Sequence, residues 1–316
     1  STATVAPPDT MTQTKGTIAE SVEEVIAISE RSGIPAMITH FKIRGKKNWG
    51  RSAALIRRID EARAAGIDVT MAQYPYTAGS TFLHVVIPPW YHSRGVDGLL
   101  RALREERGAI KHDLDTRMDW ENFSQSVGWE KIFVSSVVSE ANQPCVGKSI
   151  SQIAAERGHA DPADAAFDLL VEEQLAVGMI SFGLDEADIT AIMRHPAVSF
   201  ITDGLMSGRP HPRAYATYPR ILGRYVREQG VLSLEEAVRK MTSLPARKIR
   251  LRNKGVIAEG YDADLVVFDP DTVIDKNSYD DPRVHPAGIA HVLVNGVFVV
   301  EDAALTGARP GRVIRD

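Results

Sequence analysis

A helix-then-strand unit occurs twice near the start of this chain, and no other feature restricts its fold as much. "TIAESVEEVIAISERSG" opens with a capping box, Thr17 and Glu20, carries Val22, Val25 and Ile26 at helical spacing, and stops at Gly33. "IPAMITHF" follows as a short apolar strand. "RSAALIRRIDEARAAG" repeats the helix, Gly66 ends it, and "IDVTMAQYPY" repeats the strand. In that register His40 and Gln73 stand at equivalent carboxyl ends of strands, where α/β barrels and open α/β sheets keep their chemistry.

The rhythm then breaks. Residues 86–150 hold Trp120, Trp129, a charged helical stretch "GLLRALREERGAIKHDL" and a strand "KIFVSSVV", and read as an insertion. "DPADAAFDLLVEEQL" resumes as a helix with Asp161 as N-cap and Pro162 at its first position. "VGMISFG", "DEADITAIMRH" and "AVSFITDG" add a strand, a helix and a strand. From about residue 255 the texture changes to "DADLVVFDP" and "HVLVNGVFVVED", whose Asn295-Gly296 suits a type I′ hairpin turn. Residues 255–316 therefore read as part of a small β domain, and 1–254 as the α/β part.

Bulk properties exclude several classes of function. The 316 residues carry 37 Lys plus Arg against 41 Asp plus Glu, a net charge of −4 with no long basic run, which argues against nucleic acid as a partner. The single Cys145 cannot close a disulfide within the chain. No apolar segment approaches the roughly 20 residues that span a bilayer. "STATVAPPDT" lacks the pattern of a signal peptide, so no membrane and a cytoplasmic location are expected.

Each chemical candidate has a bland rival. His40 could bind a metal or simply hydrogen-bond at a strand end, and no HxH, HExxH or cysteine pair supplies further zinc ligands locally. Asp203 could be a catalytic carboxylate, yet Asp-Gly is a common turn dipeptide. "YPYTAGST", with Tyr74 and Ser80, could line a pocket or cap a helix. "RPHPRAYATYPR" places His211, Arg213 and Arg220 in a stretch suited to anion binding or to rigid packing.

Taken together, "ITHFKIRGKKNWG", "YPYTAGST", "FITDGL", "RPHPRAYATYPRILGRYVREQG", "EEAVRKMTSLPARK" and "GVIAEGYDADLVVFDP" resemble, in this order, the N-acyl-D-amino-acid deacylases (D-aminoacylases) of the amidohydrolase superfamily. The resemblance covers roughly residues 16 to 316. It implies a metal-dependent (β/α)8 barrel, partial here, with part of a small β-sandwich at the carboxyl end. It implies that His40 binds zinc, that Lys42 shares its site, that Asp203 is the catalytic carboxylate, and that Tyr74 and Ser80 contact substrate. With Lys42 inside the site and Arg213 near it, the expected substrate is a small N-acyl amino acid with a free carboxylate. Zinc would polarise the amide and its bound water, and Asp203 would carry the proton to the departing amine.

The sequence also departs from that family. Its HxH pair, its cysteine ligand and its fifth-strand histidine are not found, and Met11 in "DTMTQTKG" stands near the last of these. A complete barrel takes about 250 residues before any extra domain. The chain thus looks like the carboxyl-terminal part of such an enzyme, which implies a complementary amino-terminal segment or chain as partner. Two alternatives stand beside this: a catalytically dead remnant acting as an interaction subunit, and a cyclic-amide hydrolase of the same superfamily.

Overall fold

The computed structural model describes residues 18–314. Met11, the rest of 9–16, and Thr17 of the expected capping box lie outside them. The two repeated units form as the sequence indicates. Helix Ile18–Ser32 (α1) leads to strand Ala36–Ile38 (β1), and helix Ser52–Ala64 (α2) to strand Val69–Gln73 (β2). Gly33 (φ 69°) and Gly66 (φ 89°) adopt the left-handed conformation that ends both helices, which costs glycine nothing.

β1 and β2 pair in parallel, and β2 pairs in parallel with Val198–Phe200 (β6), giving a sheet of order β1-β2-β6. Every residue of β2 is buried, as expected of a central strand covered on both faces. Val22 and Ile26 of α1, Ile59 of α2, Met71 of β2 and Phe200 of β6 belong to one apolar core with this sheet.

A second sheet corrects the reading of the middle segment. Strand Gly178–Phe182 (β5), expected to resume the helix–strand alternation, pairs antiparallel with Ala78–Phe82 (β3) and Ile132–Ser136 (β4) in the order β3-β5-β4. The interruption therefore involves strands on both sides of 86–150. An apolar run such as "GMISF" is buried in either kind of sheet, so its pattern cannot tell a parallel neighbour from an antiparallel one. Helices Gly95–Glu105, Arg107–Thr116, Ile150–Arg157 and Pro162–Glu172 belong to this region. Its core, with Leu83, Ile110, Ile132, Phe167 and Leu170, draws on residues 83–179 alone and is separate from the first. Asp161 caps its helix through the Ala163 amide, with Pro162 at the first position.

The last part is an antiparallel sheet of Leu265–Phe268 (β7), Ile289–Val294 (β8), Val297–Glu301 (β9) and Ala304–Leu305 (β10), in meander order. Asn295 (φ 50°) and Gly296 (φ 78°) make the β8–β9 turn with both central residues left-handed, as type I′ requires. Among the described residues no helix is long and apolar enough to cross a membrane.

Candidate active site

Three parallel strands deliver their carboxyl ends to one place. His40 follows β1, Tyr74 follows β2, and Asp203 follows β6. Gln73, the register equivalent of His40, is instead buried and donates to the Ile189 carbonyl (3.2 Å), so its neighbour Tyr74 takes the site position.

His40 and Asp203 share a backbone peculiarity: both lie in the left-handed region, at φ 45° and 47°. A non-glycine residue there carries strain, and such residues cluster where side chains are aimed at chemistry. Asp203 follows its strand in irregular backbone and carries an engaged carboxylate.

The expected site residues form one chain of contacts. Lys42 Nζ lies 2.8 Å from His40 Nδ1 and donates to the His40 carbonyl oxygen at 3.1 Å. It also sits 5.8 Å from the centre of the Tyr74 ring. The Arg213 guanidinium covers the same ring at 4.4 Å, pairs with Asp203 Oδ2 at 2.9 Å, and donates to the Ser80 carbonyl oxygen at 3.2 Å. Ser80 lies in β3, opposite Ile180 of β5, rather than at a helix cap, and Arg213 engages its backbone.

Arg213 is nearly sealed, its side chain 1% exposed, whereas that of Asp203 is 34% exposed. Arg213, expected near the substrate, reaches the site from a buried position. Its placement braces Asp203 and Tyr74 from behind, and its Nε and Nη1 are buried with no hydrogen-bond partner. His211, the other candidate of that segment, is also buried: Nδ1 accepts from the Arg213 amide, Nε2 meets the Ala78 carbonyl oxygen, and the ring packs edge-on against Tyr76 and Tyr279. Rigid packing is the observed role there. Arg220 likewise holds the Pro75 carbonyl and Asp275.

Electrostatics favour neutral nitrogens at the mouth of the site. Burial, with the charge of Arg44 adding to it, pushes the Lys42 ammonium down to about 7. Burial and the neighbouring Lys42 lower His40 as well, against the pull of Asp203. A metal needs one bare ring nitrogen. Nδ1 faces Lys42 Nζ, which leaves Nε2 as the ring nitrogen for a cation.

A zinc site takes three or four protein ligands. Among the described residues, no group of three or more His, Cys, Asp and Glu could hold a metal ion. His40 and Asp203 do not make a zinc site on their own.

Two residues that sequence reasoning passed over border the same site. Arg44 and Glu121 line a cavity with His40 and Lys42, and Arg44 Nε lies 3.3 Å from Glu121 Oε1. The cations of "FKIRGKKNWG" hint at Arg44, but nothing in the chain order announces Glu121.

Known proteins resemble this chain. Residues 144–300 match a family described as the amidohydrolase family. The chain is 38% identical over 296 residues to N-acyl-D-glutamate deacylase of Alcaligenes xylosoxydans xylosoxydans, covering 93% of this chain and 51% of that protein. It is 36% identical to D-aminoacylase of the same organism, over 94% of this chain and 52% of that one. A crystal structure of N-acyl-D-glutamate deacylase from Bordetella bronchiseptica, complexed with zinc and a phosphonate mimic of the tetrahedral intermediate, superposes with a TM-score of 0.75 at 35% identity. That superposition covers 95% of this chain and 53% of the other. The chain spans about half the length of the curated relatives it matches. Residues 144–300 thus match the amidohydrolase family, and the chain as a whole is similar to the carboxyl-terminal part of the N-acyl-D-amino-acid deacylases.

Proposed function

We propose that this chain is part of a zinc-dependent hydrolase that releases the amino acid from N-acyl-D-amino acids. One observation carries the reading: the ends of β1, β2 and β6 bring His40, Tyr74 and Asp203 together, joined by Lys42 and Arg213. The names of the relatives support it, as does the zinc in the Bordetella bronchiseptica structure. In this reading β1, β2 and β6 are strands of a (β/α)8 barrel, and the β7–β10 sheet is one layer of a β-sandwich. The remaining strands and zinc ligands come from protein outside residues 18–314, on the same polypeptide or a second one.

The residues divide the work by their placement. His40 supplies one ligand to the zinc. Lys42 and the Tyr74 hydroxyl hold the substrate carboxylate, and Ser80 borders that pocket. Asp203, held by Arg213 through one oxygen and partly open to solvent, accepts the proton of the attacking water and returns it to the leaving nitrogen. Arg213 is a positioning residue that fixes the direction of that carboxylate.

The test is hydrolysis of N-acetyl-D-amino acids by the chain assembled with the amino-terminal half of a related deacylase, with zinc added. Release of amino acid that His40→Ala abolishes supports the reading. A zinc-loaded complex that hydrolyses no acyl amino acid overturns it in favour of an interaction subunit.

A further inference from the structure

We propose that the loop of residues 275–286, between β7 and β8, positions the carboxylate of Asp203, with Asn277, Tyr279 and Arg283 as positioning residues that act through the segment 208–213. The inference rests on the deacylase reading and extends its machinery to the carboxyl-terminal β sheet.

The loop is braced from within. Its ends close at an antiparallel bridge between Ile274 and Ala287, whose amides each donate to the other's carbonyl oxygen, at 3.3 and 3.1 Å. Near its tip the Ser278 amide donates to the Asp281 carbonyl oxygen at 3.1 Å, and Ser278 Oγ accepts from the Asp280 and Asp281 amides at 3.2 and 3.0 Å. A loop tied at neck and tip has little freedom left to lose, so it can hold a neighbour in place.

That neighbour is the stretch from Asp203 to Arg213, which has no helix or strand between β6 and helix Arg213–Arg220. Carbonyls in such a stretch need donors from elsewhere. Arg283 Nη2 donates to the Gly208 carbonyl oxygen at 2.6 Å. Asn277 Nδ2 donates to the carbonyl oxygens of Pro212 and Pro282 at 2.9 and 3.0 Å, while its Oδ1 is buried with no hydrogen-bond partner, so this side chain serves as a donor alone. The Tyr279 ring packs edge-on against His211 at 5.1 Å and against Phe182 of β5 at 4.7 Å. Asp275 pairs with Arg220 at 2.7 Å, and Arg220 Nε donates to the Pro75 carbonyl oxygen, next to Tyr74. From β4, the Ser135 carbonyl oxygen accepts from the Arg209 amide at 2.7 Å. Gly208 permits that approach, since a Cβ there would fall 2.4 Å from the same oxygen. The stretch is thus held by β4 and by the loop together.

Asp203 depends on this anchoring. Its left-handed backbone persists only where the surroundings fix it, and its carboxylate is directed by Arg213. The Arg213 side chain has few bonds of its own: Nη2 meets Asp203 and the Ser80 carbonyl oxygen, and Nε and Nη1 meet no partner. Where the guanidinium sits is therefore decided by the backbone that carries it. That backbone begins at Pro212, the N-cap of its helix, and at His211, whose Nδ1 accepts from the Arg213 amide at 3.0 Å. Asn277 holds the first and Tyr279 the second. A reacting group misplaced by about 1 Å can lose about 10²-fold in rate, so a small movement is enough.

The test measures hydrolysis of N-acetyl-D-amino acids by the assembled zinc-loaded enzyme. Asn277→Ala and Tyr279→Leu should each lower kcat about tenfold or more, with KM and zinc content within about twofold of the unaltered complex. Tyr279→Phe, which keeps the ring, should retain most of the rate. Arg283 is exposed, so Arg283→Ala keeps the fold even if the other variants do not, and it should lower kcat about threefold. In an Asp203→Asn background the same substitutions should lower kcat no further, because they act through that carboxylate. Full losses that multiply in the double variants, or an unchanged kcat in both Asn277→Ala and Arg283→Ala, overturn the positioning role, while hydrolysis by the unaltered complex upholds the deacylase reading. If the unaltered complex cleaves no N-acyl-D-amino acid, that reading fails and this inference fails with it.

Discussion

The region between β3 and β5 and the parallel sheet beside it solve the same packing problem with different success. The former gathers Ile110, Ile132, Phe167 and Leu170 into a core drawn from its own stretch of chain. The latter has three strands, β1-β2-β6, and among the described residues β1 and β6 each have a partner on one side only. Open edges of that kind are templates for further pairing. The candidate chemistry sits on the open-edged part, at the ends of its strands. A core drawn from one stretch of chain and a candidate site at the ends of a three-stranded parallel sheet therefore stand side by side in one chain.

The largest effect should separate chemistry from folding. Asp203→Asn in the assembled enzyme should lower kcat by about 10²- to 10⁴-fold while thermal denaturation shifts by only a few degrees. Near-normal turnover would make Asp203 a turn residue and remove the chemical half of the comparison. Core truncations probe the structural half. Phe167→Ala, at a fully buried position of the closed core, should cost about 3–5 kcal/mol in urea denaturation. Phe200→Ala in β6 should cost visibly less in this chain by itself, because a sheet with open edges relaxes around the gap. Equal costs would show that the two regions are equally closed.

Hydrogen exchange sharpens the contrast at smaller scale. Amides of β4 and β5 should exchange about tenfold or more slowly than those of β1, the outermost parallel strand. The reverse order would defeat the idea of an open edge. The smallest effect is a pH response confined to the closed region. Burial would raise the Glu173 carboxyl, but donors from Ser139, Asn142 and the Val138 and Ser139 amides outweigh it and hold it down to about 2. Its ordinary value is 4.5, so the stabilisation is complete above that pH and is lost as pH falls toward 2. Glu173→Gln should flatten the acid limb of the unfolding curve between those values. An unchanged limb would assign acid sensitivity to other carboxylates.

Local signals were legible in the sequence and distant ones were not. Gly33, Gly66, the Asp161 cap and the Asn295-Gly296 turn act within a few residues of themselves, and each appears where its chemistry places it. The pairing of β5 with β3 and β4 escaped because strand direction depends on neighbours far away in the chain. His40 and Asp203 were ambiguous from local pattern, and the resemblance brought them forward. Their shared left-handed backbone has no signature in composition. Arg44 and Glu121 meet only because the middle segment folds over the loop after β1, so neither residue predicts the other.

The left-handed backbone at His40 and Asp203 sets a trap for anyone engineering this chain. A search for stabilising substitutions would rank glycine well at both positions, since it adopts φ near 45° freely where histidine and aspartate do not. The melting curve would reward such changes, and the price would be the ring nitrogen and the carboxylate of the proposed site. Here thermal stability is a misleading score, and the residues that look least at ease are the ones to leave alone.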